Sequence, residues 1–411
     1  MRHPVIALAT SLAALTLFVP VTELESRAVT VRQAPDRALA ERLDAIVDEA
    51  IADRRIVGAV ILVARDGRVV YRRAAGLSDR EAGRPMREDA IFRLASVSKP
   101  IVTAAAMRLI EQGTLALDDP VTKWLPDFRP ALADGTRPVI TVRHLLTHMS
   151  GLSYAFAEAP EHAYHRLGVS DGMDVSEASL DENVRRIGQG PLAFAPGSAW
   201  HYSLSIDVLG AVMARAAGSS LPEIVASTVT GPLGMADTGF VTTDAARLTA
   251  AYVDGSPAPA RMTDGLEVPI GAGAVRFAPS RALDAAAFPS GGAGMVGTAR
   301  DLLAFFEAVR RGGAPILDSS TVQEMMRNQL PAGMAGPGAG SGFGYGWAVV
   351  DDPAAEETPQ GRGTIRWGGV YGHSWFVDPE SRLTVVALTN TTFEGMNGRF
   401  TTELRDALYG R

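Results

Sequence analysis

Ser96 and Lys99 stand three residues apart in the stretch Phe92-Arg93-Leu94-Ala95-Ser96-Val97-Ser98-Lys99-Pro100, in a chain with only one other lysine, Lys123. Arginine supplies nearly all the remaining positive charge. The difference matters because a lysine stripped of water can give up its proton and act as a base, whereas arginine keeps its charge in a protein. A helix beginning at Ser96 or Val97 would place the two side chains one turn apart on the same face. Its N-terminus would add positive potential and free N–H groups beside the serine oxygen, where an oxyanion develops during acyl transfer. The chemistry offered is a serine nucleophile with a lysine base. The competing reading is a helix-capping serine followed by a surface lysine.

Two further segments could complete such a site. In Trp200-His201-Tyr202-Ser203-Leu204, Tyr202 enters a helix after the turn Pro196-Gly197, and a phenol beside an ammonium can relay a proton. Alone, Tyr202 reads better as a packed amphipathic aromatic, and it gains weight only in company. In Trp367-Gly368-Gly369-Val370-Tyr371-Gly372-His373, paired glycines at a strand end let backbone approach a ligand and offer an N–H as oxyanion donor. A tight turn between strands explains the same residues.

Other patterns carry less. Gly292-x-Gly294-x-x-Gly297 spells a dinucleotide fingerprint, without the strand and βαβ unit that fingerprint needs. His144 with His148, and His162 with His165, have the spacing of metal ligands but lack the His-Glu-x-x-His pattern, so structural roles are expected and no metal. Gly372-His373-Ser374-Trp375-Phe376 lacks the last glycine of a nucleophile elbow, and no complete elbow is recognised elsewhere.

The elements that must position these residues are legible from periodicity. Leu39, Leu43, Ile46, Val47, Ala50 and Ile51 recur at helical spacing, with Asp36 as the N-cap. Runs 58–64 and 69–75 flank Asp66-Gly67, a hairpin signal. The helix carrying Lys99 should end at Gly113, with Pro100 tolerated in its first turn. Between Pro120 and Phe288 helical pieces and loops dominate, including a short helix in 141–151 and one over 203–217. Thr298 should cap a helix over 299–310. Residues 331–342 read as a loop or flap. Strands return at 345–350, 363–367, 374–377 and 383–388, and a last helix runs over 401–409. The expected fold is mixed α/β (α+β): one mainly antiparallel sheet built from both ends of the chain, flanked by helices, with a helical region inserted. The corresponding division is 36–120 plus 289–411 for the sheet domain and 121–288 for the helical domain.

With 411 residues and a net charge of −7, the chain is long enough for a large core and gives no electrostatic support to a nucleic-acid partner. Cysteine is absent, which excludes thiolate catalysis and zinc–cysteine sites. Arg2 and His3 precede an apolar run from Val5 to Val19, so residues 1–28 read as a signal peptide and the expected location is periplasmic or secreted, or cytoplasmic if that run is not a functional signal. No segment is expected to span a membrane in the mature chain. Composition leaves the oligomeric state open.

Taken together, the three segments resemble the serine β-lactamase and penicillin-binding-protein superfamily, where Ser-x-x-Lys is the nucleophile motif. Within it, the class C-like family VIII carboxylesterases are the most similar. The resemblance spans roughly residues 36–410 and extends to stretches without a catalytic role, such as 144–152 and 232–240. It implies a β-lactamase/transpeptidase-like fold, Ser96 as nucleophile, Lys99 as base and Tyr202 as proton relay. It also implies an oxyanion hole from the backbone N–H groups of Ser96 and Val370, with no cofactor. Trp367-Gly368-Gly369 stands where β-lactamases carry Lys-Thr-Gly, and Leu204 replaces the amide of their Tyr-x-Asn. Leu204, Trp367, Gly368 and Gly369 are therefore expected to contact substrate, and the loss of an amide and a lysine implies a small ester in preference to a β-lactam. Hydrolysis of β-lactams, D-amino peptides or amides, or acyl transfer to a small alcohol, remain alternatives on the same machinery.

Overall fold

The computed structural model describes residues 37–411 together with Met1; the expected signal peptide and the Asp36 cap lie outside the described residues. Helix α1 (Arg37–Ala52) leads into strands β1 (Gly58–Arg65), β2 (Arg68–Asp79) and the short β3 (Arg84–Pro85). Asp66 and Gly67 both adopt positive φ, 53° and 78°, as a two-residue turn matching strand twist requires. Helix α2 (Ser98–Glu111) follows a single 3-10 turn, Ala95–Val97, and Gly113 ends it in a left-handed conformation. Near the C-terminus come β6 (Ser341–Phe343), β7 (Ala348–Val350), β8 (Ile365–Gly369), β9 (His373–Asp378) and β10 (Leu383–Thr389). Strands β4 (Leu266–Ile270) and β5 (Gly273–Phe277) form a separate hairpin in the middle region.

The main sheet has eight strands in the order β6-β7-β8-β9-β10-β1-β2-β3, every neighbouring pair antiparallel. This is the β-lactamase/transpeptidase-like fold. The two ends of the chain meet where β10 pairs with β1, Leu383 opposite Arg65 and Thr389 opposite Ala59. Side-chain alternation then builds two cores at once. From β1, Val60, Leu62 and Ala64 face the larger core, while Ala59, Ile61 and Val63 face a smaller one. The smaller core is closed by α1 and by α5 (Arg399–Leu408), through Leu39, Leu43, Val47, Phe400 and Leu404. The larger core is covered by α2, α3 (Ser205–Ala217) and α4 (Ala299–Arg310). It runs without interruption into the residues expected to form the helical domain, such as Val142, Leu146 and Ile187. Among the described residues, no single helix is long and apolar enough to cross a membrane.

Several boundaries differ from expectation for identifiable reasons. The strand expected over 345–350 is broken because Gly346 takes φ 91° against the Thr103 side chain, so pairing is split between β6 and β7. Strand β6 consequently takes the end of the expected flap. The short helix expected in 141–151 covers only Val142–Leu146, since His148 turns left-handed at φ 55°. Helix α3 starts at Ser205 because the N–H groups of Ser203 and Leu204 are engaged by His148 Nδ1 and the Ser153 carbonyl. The last helix starts at Arg399, after a short helix Thr392–Asn397. The hairpin β4–β5 interrupts a region read as helices and loops; its apolar face is sparse and its turn begins with Gly271.

Candidate active site

Ser96 is carried on the 3-10 turn before α2, immediately after Ala95, whose φ of 44° is left-handed. A non-glycine residue there is uncommon, and such strain persists only where surrounding structure enforces it. The enforcing contacts are local. Leu94 N–H donates to the Met295 carbonyl, Met295 N–H to Ser98 Oγ, and the end of β8 presses on the turn. A Cβ on Gly369 would lie 2.4 Å from the Leu94 carbonyl oxygen, so only glycine permits this approach.

Lys99 is wholly buried, its Nζ 3.3 Å from Ser96 Oγ and donating at 2.7 Å to the Gly292 carbonyl. Tyr202 arrives from the segment before α3, with its hydroxyl donating to Ser96 Oγ at 2.6 Å. Lys99 Nζ lies 4.5 Å from the centre of the Tyr202 ring and 5.3 Å from that of Tyr154. Trp367, on β8, donates its indole N–H to the Tyr202 oxygen at 3.4 Å and packs its ring 5.2 Å away. The structure thus brings Ser96, Lys99, Tyr202 and Trp367 together from three separate segments.

Three groups around this cluster had no signal in the sequence. Asp207, on α3, is completely buried and accepts a 2.5 Å hydrogen bond from Ser290 Oγ. Burial pushes its carboxyl above the usual carboxylate range, opposed by Ser290 and by the nearby Lys99 charge. Gly292 lies between the two, its carbonyl on Lys99 and its α-carbon so close to Asp207 that an added Cβ would sit 2.4 Å from Oδ2. Tyr154 is buried 5.2 Å from the Tyr202 ring; burial, then the nearby Tyr202 and Asp207, hold its phenol far above the ordinary range. The glycines once weighed as a dinucleotide fingerprint therefore contribute a lysine-binding carbonyl.

The histidines are structural by their contacts. His144 closes a capping box with Thr141, and His162 caps the turn at Tyr164. His148 accepts the Ser203 N–H at 3.2 Å and its ring lies tilted, 4.9 Å from that of Tyr202; burial, then the charge of Lys99, holds its pKa well below the ordinary histidine value. No cluster among the described residues could hold a metal ion. His373 Nε2 meets the Arg93 carbonyl at 2.7 Å, and burial pushes its pKa down to about 4.

Three readings need correction. Leu204 does not reach the cavity: its side chain is fully buried in the larger core, because the chain turns inward as it enters α3. The sequence also holds a complete Gly-x-Ser-x-Gly, Gly168-Val169-Ser170-Asp171-Gly172, which the search for an elbow passes over. Ser170 is buried, donates its hydroxyl to Asp174 and sits on an irregular turn with no strand before it and no helix directly after. Ser96 instead lines a cavity of about 590 Å³ with Tyr202, Trp367, Gly368 and Val370. Gly369 is withdrawn against Leu94 and does not line it.

Known proteins are similar to this chain over most of their length. Esterase EstB from Burkholderia gladioli is 56% identical over 377 residues, covering 91% of this chain and 96% of the relative. Acyltransferase calJ from Penicillium decumbens is 29% identical over 356 residues, covering 77% of this chain and 80% of its own. Among solved structures, EstCE1, described as a hydrolase with promiscuous acyltransferase activity, superposes with a TM-score of 0.89 at 50% identity, covering 91% and 99% of the two chains. Simvastatin synthase from Aspergillus terreus shares the fold at 23% identity, with a TM-score of 0.72 and coverage of 90% and 95%. Residues 43–409 match the family described as Beta-lactamase, and the chain is a member of that family.

Proposed function

We propose that the protein is a serine carboxylesterase that hydrolyses small esters through an acyl-enzyme on Ser96. The observation that carries this reading is one oxygen, Ser96 Oγ, held 2.6 Å from Tyr202 Oη and 3.3 Å from a buried lysine nitrogen while facing a cavity. Lys99 takes the Ser96 proton as Oγ bonds to the ester carbonyl carbon. The N–H groups of Ser96 and Val370 flank the position of the resulting oxyanion. The tetrahedral species collapses by breaking the bond to the alcohol, which leaves with a proton delivered through Tyr202. Water then repeats the sequence on the acyl-enzyme and restores Ser96. The indole of Trp367 orients the Tyr202 oxygen and fills with apolar surface the place where β-lactamases carry a lysine. The preference for esters accordingly rests on Trp367 and not on Leu204. The relatives named as esterases support the same reading, and those named for acyl transfer favour a second outcome in which an alcohol replaces water as acceptor.

Replacing Ser96 by Ala should reduce p-nitrophenyl butyrate hydrolysis by at least about 10³-fold and abolish fluorophosphonate labelling. Labelling that persists at another serine would overturn the assignment. Nitrocefin should turn over far more slowly than the ester. A processed N-terminus on protein recovered from the periplasm would support the export reading of residues 1–28.

A further inference from the structure

The cavity at Ser96 has two limbs of opposite chemistry. One lies beneath the hairpin β4–β5 and is walled by Phe156, Met173, Ile270, Val275 and Val370, all apolar. The other passes round the end of β8. Strand β7 pairs with β8 only at Arg366 and Ile365, so Trp367–Gly369 has no strand beside it on that side. Gly368 and Met396 line the cavity where it turns, packed so closely that a Cβ on Gly368 would lie 2.8 Å from the Met396 side chain. Beyond them the cavity reaches the opposite face of the sheet and the first turns of α5.

That far limb is lined by Ser341, Gln360, Ser374, Thr402 and two arginines, Arg366 and Arg405. Among the described residues, these arginines are the only charged groups lining the cavity, and no carboxylate does. In a chain of net charge −7, such one-sided lining is informative. Each guanidinium has an acidic partner outside the cavity, Glu356 for Arg366 and Asp406 for Arg405. Among the described residues, each also keeps a nitrogen without a hydrogen bond, Nε of Arg366 and Nη1 of Arg405. The two cations are close enough to oppose one another, a repulsion that an anion between them would relieve.

We propose that this far limb is a subsite for a carboxylate, so that the ester cleaved at Ser96 joins an apolar portion under the hairpin to a portion ending in an anion. The inference rests on Ser96 being the nucleophile. It does not conflict with the loss of the β-lactamase lysine at Trp367, because the cations here lie past Gly368 on the other face of the sheet.

The test compares kcat/KM for p-nitrophenyl half-esters of linear dicarboxylic acids with that for neutral p-nitrophenyl esters of equal length. A second pair places the carboxylate on the phenol. At low salt the wild-type enzyme should prefer the anionic member of at least one pair, and added salt should erode the preference. Arg405→Ala should lower that anionic-to-neutral ratio roughly tenfold, Arg405→Glu further, and Arg405→Lys should keep most of it. A wild-type ratio near unity in both pairs, or a ratio unmoved in Arg405→Ala and Arg405→Glu, overturns the proposal. Because the readout is a ratio, partial misfolding of a variant cancels. Turnover of both esters by Ser96→Ala would instead mean that the nucleophile is wrong.

Discussion

The two faces of the sheet bury very different things. Behind Ser96, the interior holds Lys99, Asp207, Ser98, Ser290 and His148, all at zero exposure. Across the sheet, under α1 and α5, the buried cluster is aliphatic and aromatic, with Leu43, Ile61, Ala387 and Phe400 equally inaccessible. A buried polar group costs free energy unless it is paired, whereas a buried methyl gains it at about 25 cal/mol per Å². The first region therefore spends stability that the second supplies, and substitutions should separate activity from folding cleanly along this line.

The largest effect is expected on the polar side. Lys99→Met should retain the fold and lower kcat/KM for p-nitrophenyl butyrate by about 10³-fold, the weight of a general base; stopped assays beside circular dichroism would check both. Activity surviving that change would mean the buried amine is structural. On the apolar side, Leu43→Ala should cost about 3 kcal/mol in urea unfolding, as a truncated core leucine does, with kcat/KM of the folded enzyme unaltered. A fall in turnover at full folding would show that the faces are coupled through the sheet.

His373 allows a test by pH. Its folded pKa of about 4 lies below the ordinary histidine value, so the unfolded chain takes up this proton first as pH falls. Its neutral burial contributes fully above about pH 6.5, and that contribution is lost as pH falls toward 4. His373→Gln should flatten the decline of the urea midpoint across that window, and an unchanged slope would exclude His373 as a source. The smallest effect is expected at Trp367→Phe, which removes one 3.4 Å hydrogen bond to Tyr202 but keeps an aromatic ring. A loss of kcat under about tenfold, with KM little changed, is expected from steady-state kinetics.

The three segments of the proposed site were readable because each carries a local sign: a rare lysine at helical spacing from a serine, a tyrosine at a helix entrance, a glycine pair at a strand end. The sheet was readable for the same reason, since β1 and β10 are unbroken β-rich runs and Asp66-Gly67 marks the hairpin between β1 and β2. Leu204 was misjudged because position within a motif does not give the direction of a side chain. Asp207, Gly292 and Tyr154 were invisible because what defines them is contact across long separations, Gly292 with Lys99 being 193 residues apart. The far limb of the cavity depends on a missing strand partner at Trp367–Gly369, which no pattern of residue types encodes.

The close seating of Gly369 on Leu94 has a consequence for motion. Strand end and serine turn have no clearance between them, so they must move as one body, and the catalytic floor cannot breathe by sliding one past the other. Access has to be granted by the roof. There the hairpin β4–β5 stands as a separate two-stranded unit, with no hydrogen-bonded neighbour strand among the described residues. The backbone amides of β4 and β5 should accordingly exchange with solvent sooner than those of β8, and substrate entry should be timed by the hairpin while the geometry at Ser96 stays fixed.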